Sequence, residues 1–256
     1  MSDTNIPSDI TGRKVFFLYP TASVENQIIT ELIQQEYEVY VAKNHANLSR
    51  ALKKYSNSIL FLNIDDGMSG EDWEKWINGI LTALPEVKTG VLSSNTNEEF
   101  RENYINKHNI TCGFTTLKLD MSGTIGTISE ILSGMNAKGR RKYLRASTER
   151  ETTATINMPH NGEFINGVVK DISTVGVSCA FENDPALKKN TLIKNVQIRL
   201  QTMLIKVELV VFGSRIDNGE MIYVMIFTQN TDPNVRVKIR KYIQQNLQNK
   251  MNPEIN

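Results

Sequence analysis

Residues 140–147 read RRKYLRAS, four cations and one aromatic ring set directly after the loose-textured GMNAKG of residues 134–139. Taken alone, the run is open to three readings: a solvated interdomain hinge, a basic arm for nucleic acid, or half of a binding site for a small anionic ligand. Its place in the chain decides the fold, because the texture of the sequence differs on its two sides. Upstream, apolar strand runs alternate with helical periods. Downstream come short β-branched segments separated by polar turns.

On the upstream side, KVFFLYP (14–20), YEVYVA (37–42), SILFLNI (58–64), VKTGVLSS (87–94) and CGFTTLK (112–118) have the length and branching of buried strands. Between them the apolar residues follow a helical period. Val24, Ile28 and Leu32, with Ile29 and Ile33 beside them, form the first such face, and Thr21 or Ser23 stands ready to cap it. Leu48, Ala51, Leu52 and Tyr55 mark the second helix; Trp73, Trp76, Ile77, Ile80, Leu81 and Leu84 mark the third. A fourth lies around Phe100–Ile105, and a fifth carries Ile125, Ile128, Ile131, Leu132 and Met135. Five β-α units predict a parallel sheet covered by helices on both faces.

Downstream, six segments read as strands: TTATINM (152–158), FINGVVKDIS (164–173), GVSCAFE (176–182), LIKNVQIRL (192–200), LIKVELVVFGSR (204–215) and MIYVMIFTQ (221–229). PHNGE, ENDPALKKN and RIDNGE supply Gly, Pro, Asn and Asp where turns are needed. A closed antiparallel barrel is the expected packing, since closure leaves no exposed edges. The chain then runs into TDPNVRVKIRKYIQQNLQNK (231–250), with Asp232 as cap, Pro233 in the first turn, and Val235, Ile239, Tyr242 or Ile243, and Leu247 on one apolar face. Arg236, Lys238, Arg240 and Lys241 are expected on its solvated side.

Charge follows the same division. Residues 1–137 carry 11 Lys/Arg against 17 Asp/Glu, net −6, while residues 138–256 carry 18 against 11, net +7. The second half therefore suits an anionic partner, and the acidic first half argues against polyanion binding along the whole chain. Cys112 and Cys179, the two cysteines, have no metal-type spacing, and His45, His108 and His160 are scattered, so no metal site is expected. The first residues have no basic-then-apolar leader pattern, and no run of about 18 apolar residues occurs, which predicts a soluble, cytoplasmic protein without membrane insertion. Neither a Walker loop nor a Ser/His/Asp or Cys/His arrangement is present. The chain is therefore expected not to be an enzyme.

The order of elements over residues 13–136 resembles the receiver domain of bacterial response regulators. That resemblance implies an acidic pair after the first strand to hold magnesium, but the positions are Tyr19 and Pro20; the phospho-accepting aspartate is replaced by Asn63, with Asp65 as the loose-register alternative. Ser93 or Ser94 and Lys118 match the family's hydroxyl and lysine positions. Magnesium-assisted phosphoryl transfer would lack its metal ligands here. A degenerate, protein-contacting domain is the expectation, with Asp65 and Asp66 as turn residues before Gly67 and the two tryptophans as core or interface residues.

Two motifs flank the start of the second half: R-x-x-x-R, Arg141 and Arg145, and D-x-S-x-x-G, Asp171, Ser173 and Gly176. In this order, ahead of a strand-rich domain of this size, they are similar to the PilZ domain, the bacterial receptor module for cyclic di-GMP. The resemblance covers residues 138–248. It implies that Arg141 and Arg145 meet phosphates and guanine faces, and that Asp171, Ser173 and Gly176 hold a guanine against the barrel. The residue types suit such a ligand. Arginine's planar fork donates two parallel hydrogen bonds to phosphate oxygens or to guanine O6 and N7, and it stacks on bases. Asp171 can accept from guanine N1–H and N2–H, a pattern adenine does not present, while Ser173 can donate to the ligand or to Asp171. Gly176 permits a tight turn or a close backbone approach. Arg140 adds a cation that would suit a stacked ligand dimer, and Tyr143 an aromatic face for stacking or for hinge packing.

The resulting expectation is an N-terminal tail (1–12), a receiver-like α/β domain with a five-stranded parallel sheet (13–136), a basic linker (137–150), an all-β six-stranded antiparallel PilZ-type barrel with a C-terminal helix (151–248) and a tail (249–256). Its function would be that of a cyclic di-GMP receptor that acts on an effector protein by changing domain orientation or partner binding, with motility, surface or virulence as the outputs of such receptors. The alternatives are a nucleic-acid-binding regulator built on the basic half and a phosphotransfer response regulator built on the first.

Overall fold

A computed structural model describes residues 12–148 and 154–256. The expected tail up to residue 11, and residues 149–153 at the junction of linker and barrel, lie outside the described residues. The chain divides into two compact units. One comprises residues up to Lys142 together with Leu247–Asn256, and the other is Tyr143–Asn246.

The first unit opens with β1 (Val15–Leu18), a π-helical segment (Val24–Ile29) running directly into α1 (Thr30–Gln34), and β2 (Val39–Ala42). Thr21 Oγ1 accepts from the Val24 amide at 3.3 Å, as a helix-opening residue should. There follow α2 (His45–Lys54), β3 (Ile59–Asn63), α3 (Gly70–Ala83), β4 (Lys88–Ser93), α4 (Glu98–His108), β5 (Phe114–Thr116) and α5 (Ser122–Gly134). Asn44, Ser69 and Asn97 cap α2, α3 and α4, each side chain accepting from an amide three residues on. The strands pair in the order β2-β1-β3-β4-β5, all parallel. Successive strand residues point to opposite faces, and both faces are covered. Phe16, Leu18, Leu60 and Leu62 pack with Leu48, Leu52, Trp73 and Ile77; Val15, Phe17, Ile59 and Phe61 pack with Val24, Ile28, Leu32, Ile128 and Leu132.

Among the described residues, seven strands make up the second unit: β6 (Arg145–Ser147), β7 (Ala154–His160), β8 (Glu163–Ser173), β9 (Gly176–Phe181), β10 (Leu192–Leu200), β11 (Met203–Asp217) and β12 (Glu220–Phe227). Six of them close a ring in the order β8-β7-β10-β11-β12-β9, and the β8–β9 pairing joins its ends. All neighbours are antiparallel. The seventh, β6, adds to the far end of β8. It lies inside the stretch expected to be a basic linker, so the RAS of RRKYLRAS is a strand. Its burial explains why: Ala146 is fully enclosed while Arg145 and Ser147 on either side are exposed.

Helix α6 runs from Pro233 to Ile255. Asp232 caps it, its carboxylate taking the Asn234 amide at 2.8 Å. Two expectations for this segment are corrected. Arg236 is not on a solvated face: half-buried, it donates to the carbonyls of Thr174 and Thr228 at 2.8 and 3.2 Å. Nor are residues 249–256 a loose tail, because Met251 and Ile255 are buried in the core of the first unit. The Gln248 side-chain amide accepts from the Val41 N–H and donates to the Val41 carbonyl, both at 2.9 Å, doing for the edge strand β2 what another strand would do. Glu254 takes Lys54 at 2.9 Å and the Tyr55 hydroxyl at 3.2 Å.

Candidate functional site

The barrel brings the two motifs together through one strand pair and one irregularity. In the antiparallel pairing of β6 with β8, Arg145 stands opposite Ser173 and Ser147 opposite Asp171. Arg145 and Asp171 are thus diagonal neighbours, within reach for long side chains. Arg145 Nη1 is 3.5 Å from Asp171 Oδ1, with the arginine side chain about half exposed and the aspartate a quarter exposed.

Which way Asp171 points is set by a β-bulge. Val169 pairs with Cys179, but the next partners are Asp171 and Ser178, leaving Lys170 as the extra residue on β8. Val169 and Ile172 both face the core, and only the bulge reconciles their odd spacing. Without it, Asp171 would follow Val169 inward; with it, Ile172 is buried and Asp171 turns to the outer face. Ser178, between core residues Val177 and Cys179 on β9, meets it there, and its hydroxyl donates to Asp171 Oδ2 at 2.5 Å. Both carboxylate oxygens are therefore engaged, one by Arg145 and the other by Ser178.

The other residues of D-x-S-x-x-G build the turn between β8 and β9. Ser173 is buried; its hydroxyl donates to the Gly176 carbonyl at 3.2 Å and accepts from the Val175 amide at 3.4 Å. It is Ser178, not Ser173, that reaches Asp171. Gly176 does serve a close backbone approach, but the approaching backbone is the barrel's own: a Cβ there would sit 2.4 Å from the Met225 carbonyl on β12, the strand whose Ile226 pairs with Gly176. Arg140 and Arg141 stand in the exposed segment ahead of β6, at the end of the first unit, and Tyr143 is half-buried at the start of the second. Sequence reasoning passed over Ser178 and Arg236. The signal for Ser178 was available in the alternation of GVSCAF, which places it on the face opposite the core.

Neither cysteine competes as a reactive group. Both are buried and unpaired by disulfide, and burial, with Asp171 nearby adding to it, pushes the Cys179 thiol well above its ordinary range. No cluster of three or more metal-ligating side chains occurs among the described residues, and no helix among them is long and apolar enough to cross a membrane.

In the first unit, the place after β1 where the receiver resemblance implies an acidic pair is filled by an aromatic ring. Tyr19, with a positive φ of 52°, hydrogen-bonds His45 Nδ1 through its hydroxyl at 2.9 Å and sets its ring edge-on to Trp73. The ring lies so close over Gly67 that a Cβ there would be 2.3 Å from Cδ2. Asn63 donates to the Tyr19 carbonyl at 2.7 Å. Asp65 is more than a turn residue, since its carboxylate accepts from the hydroxyls of Ser93 and Ser94 and from the Ser94 amide, which ties the β3 exit to the β4 exit. Asp66 takes the Gly67 amide at 2.7 Å, as expected of a turn residue. Lys118 is exposed.

No protein-family model matches the sequence, and no curated protein matches it. Among solved structures, the chain is similar to the PilZ domain of YcgR from Escherichia coli, described as bound to c-di-GMP, at 16% identity over 44% of this chain and 96% of that one, TM-score 0.38. It is similar to MrkH, described as a c-di-GMP-dependent transcription regulatory factor, at 23% identity over 43% of this chain and 52% of that one, TM-score 0.38, so it spans about half of that protein's length. A response regulator from Thermotoga maritima is similar at 16% identity over 48% of this chain and 98% of that one, TM-score 0.41. The chain itself carries a five-stranded parallel sheet with helices and a six-stranded antiparallel barrel followed by a C-terminal helix.

Proposed function

We propose that the protein is a cyclic di-GMP receptor. The observation that carries this reading is the meeting of Arg145 with Asp171 on the outer face of the barrel, where a fork-shaped cation and a twin-acceptor carboxylate lie side by side. Such a pair supplies what a guanine-bearing phosphodiester needs. The guanidinium can turn to a phosphate or to O6 and N7, and the carboxylate, already oriented by Ser178, can accept from N1–H and N2–H. Arg141, on the exposed segment leading into β6, adds the second motif cation, and Arg140 is an extra cation that would suit a stacked ligand dimer. Binding would order this segment and change domain orientation or partner binding, through which an effector in motility, surface or virulence control is engaged. The protein senses the messenger and does not convert it.

Calorimetric titration with cyclic di-GMP, alongside GMP and cyclic di-AMP, tests the proposal. Micromolar or tighter binding of cyclic di-GMP alone is expected. Each charge-assisted hydrogen bond is worth about 1.5–3 kcal/mol, so Arg145→Ala weakens binding about tenfold or more while the circular dichroism spectrum stays unchanged. Undiminished affinity of that variant would remove the site assignment, and absence of wild-type binding would remove the function. Solution scattering with and without ligand reads the change in domain orientation.

A further inference from the structure

We infer that Arg236, on helix α6, is a positioning residue for the ligand site, and that occupancy of the site and docking of the helix are thereby coupled. The inference rests on the cyclic di-GMP reading but concerns a residue outside both motifs. Three successive carbonyls of the β8–β9 turn are each held. Gly176 O accepts from Ser173 Oγ, Val175 O accepts from the Phe227 amide at 3.0 Å, and Thr174 O accepts from Arg236 Nη1. The first two partners are the turn itself and the neighbouring strand. The third comes from the helix.

The shape of the guanidinium matters here. Its second nitrogen donates to Thr228 O, so one rigid fork spans the carbonyl of the motif turn and the carbonyl just past β12. Thr174 follows Asp171 by three residues and precedes Ser178 by four, which puts the clamped peptide between the carboxylate and the hydroxyl that orients it. If the clamp is released, the Thr174 carbonyl loses its tie to the helix, the β8–β9 pairing near the turn loosens, and the Asp171–Ser178 geometry is less firmly fixed before ligand arrives. Preorganisation of that kind sets affinity without touching the ligand. By thermodynamic reciprocity, a ligand that favours the ordered turn also favours the docked helix.

The test uses Arg236→Gln and Arg236→Lys in the full chain, with amide hydrogen exchange and calorimetry. In ligand-free Arg236→Gln, exchange in residues 174–178 accelerates about tenfold or more over wild type, while exchange in β10 and β11 is unchanged. The cyclic di-GMP dissociation constant rises about tenfold, and Arg236→Lys, which keeps the charge but not the fork, falls between. In wild type, ligand slows exchange in residues 233–240, and in Arg236→Gln it does not. Exchange that rises evenly over the whole barrel would mark a merely structural residue and overturn the inference. So would wild-type affinity in Arg236→Gln. If wild type itself fails to bind cyclic di-GMP, the receptor reading falls and the coupling to ligand with it; ligand-free exchange in residues 174–178 then still decides for or against Arg236 as the clamp of the turn.

Discussion

Arg145 and Asp171 lie 3.5 Å apart as diagonal neighbours on β6 and β8, and the carboxylate's other oxygen is held by Ser178 on β9. Three strands thus fix one carboxylate before any ligand is present. The cation beside it is exposed enough to move, whereas the serine is buried. A fixed orientation and a movable charge are divided between the two.

The first prediction concerns that division. Ser178→Ala removes one hydrogen bond to a charged group, worth about 1.5–3 kcal/mol when intact. Cyclic di-GMP affinity is expected to fall about tenfold, with preference over cyclic di-AMP retained because Asp171 is still there. Ser178→Thr keeps the hydroxyl and should keep the affinity. Calorimetry on the two variants checks this; equal affinity of wild type and Ser178→Ala would show that the serine merely fills space.

The motifs were legible in the sequence because their residue types and order survive without knowledge of the fold. Their juxtaposition was not, since it depends on a bulge at Lys170 that no local propensity announces. The same limit applies to Ser173 and Ser178: both are serines near Asp171 in sequence, and register alone decides which of them faces it. In the first half, the strand and helix periods predicted the sheet and both its faces. The role of residues 247–256 was hidden, because Met251 and Ile255 find their apolar partners some 200 residues away in sequence, and a periodicity argument sees only neighbours.

A second prediction follows from Tyr19. Because its ring fills the position after β1, and Asn63 stands where the receiver resemblance implies a phospho-acceptor, acetyl phosphate with magnesium should leave the intact mass unchanged. Asn63→Asp alone should not restore labelling, as it supplies no acidic pair for the metal. A phosphorylated Asp65 in either protein would refute this account of the first unit.

The third concerns the end of α6. Ile255 is fully buried, and replacing a buried isoleucine by alanine costs about 2–5 kcal/mol. Gln248→Ala leaves the Val41 N–H without its side-chain partner at the sheet edge, about 1–3 kcal/mol, while the Val41 carbonyl keeps Asn256 Nδ2 at 3.3 Å. Both tryptophans, Trp73 and Trp76, belong to the first unit, so their fluorescence reports its unfolding. Urea titration followed by that signal should show a lowered midpoint for each variant, and a lower one still for a chain ending at Asn246. An unmoved midpoint would show that the helix end rests on the unit without supporting it.

The fourth is a pH dependence set by His108. Its ring is buried against Tyr104, Nδ1 is paired with Asn78 Oδ1 at 2.9 Å, and Nε2 has no hydrogen-bond partner among the described residues. Burial lowers its pKa below the ordinary value of 6.5; Glu74 works against that shift and Lys107 adds to it. A histidine with a depressed folded pKa takes up its proton more readily in the unfolded chain. The stabilising contribution is therefore present above about pH 6.5 and is lost as pH falls through the folded pKa. Tryptophan-monitored urea midpoints at pH 7.5 and 5.5 should show a drop on acidification in wild type. In His108→Gln, which is less stable at pH 7.5 but carries no titrating ring, the drop should be smaller. An identical drop in both proteins would assign the acid sensitivity to carboxylates elsewhere in the chain and not to this ring.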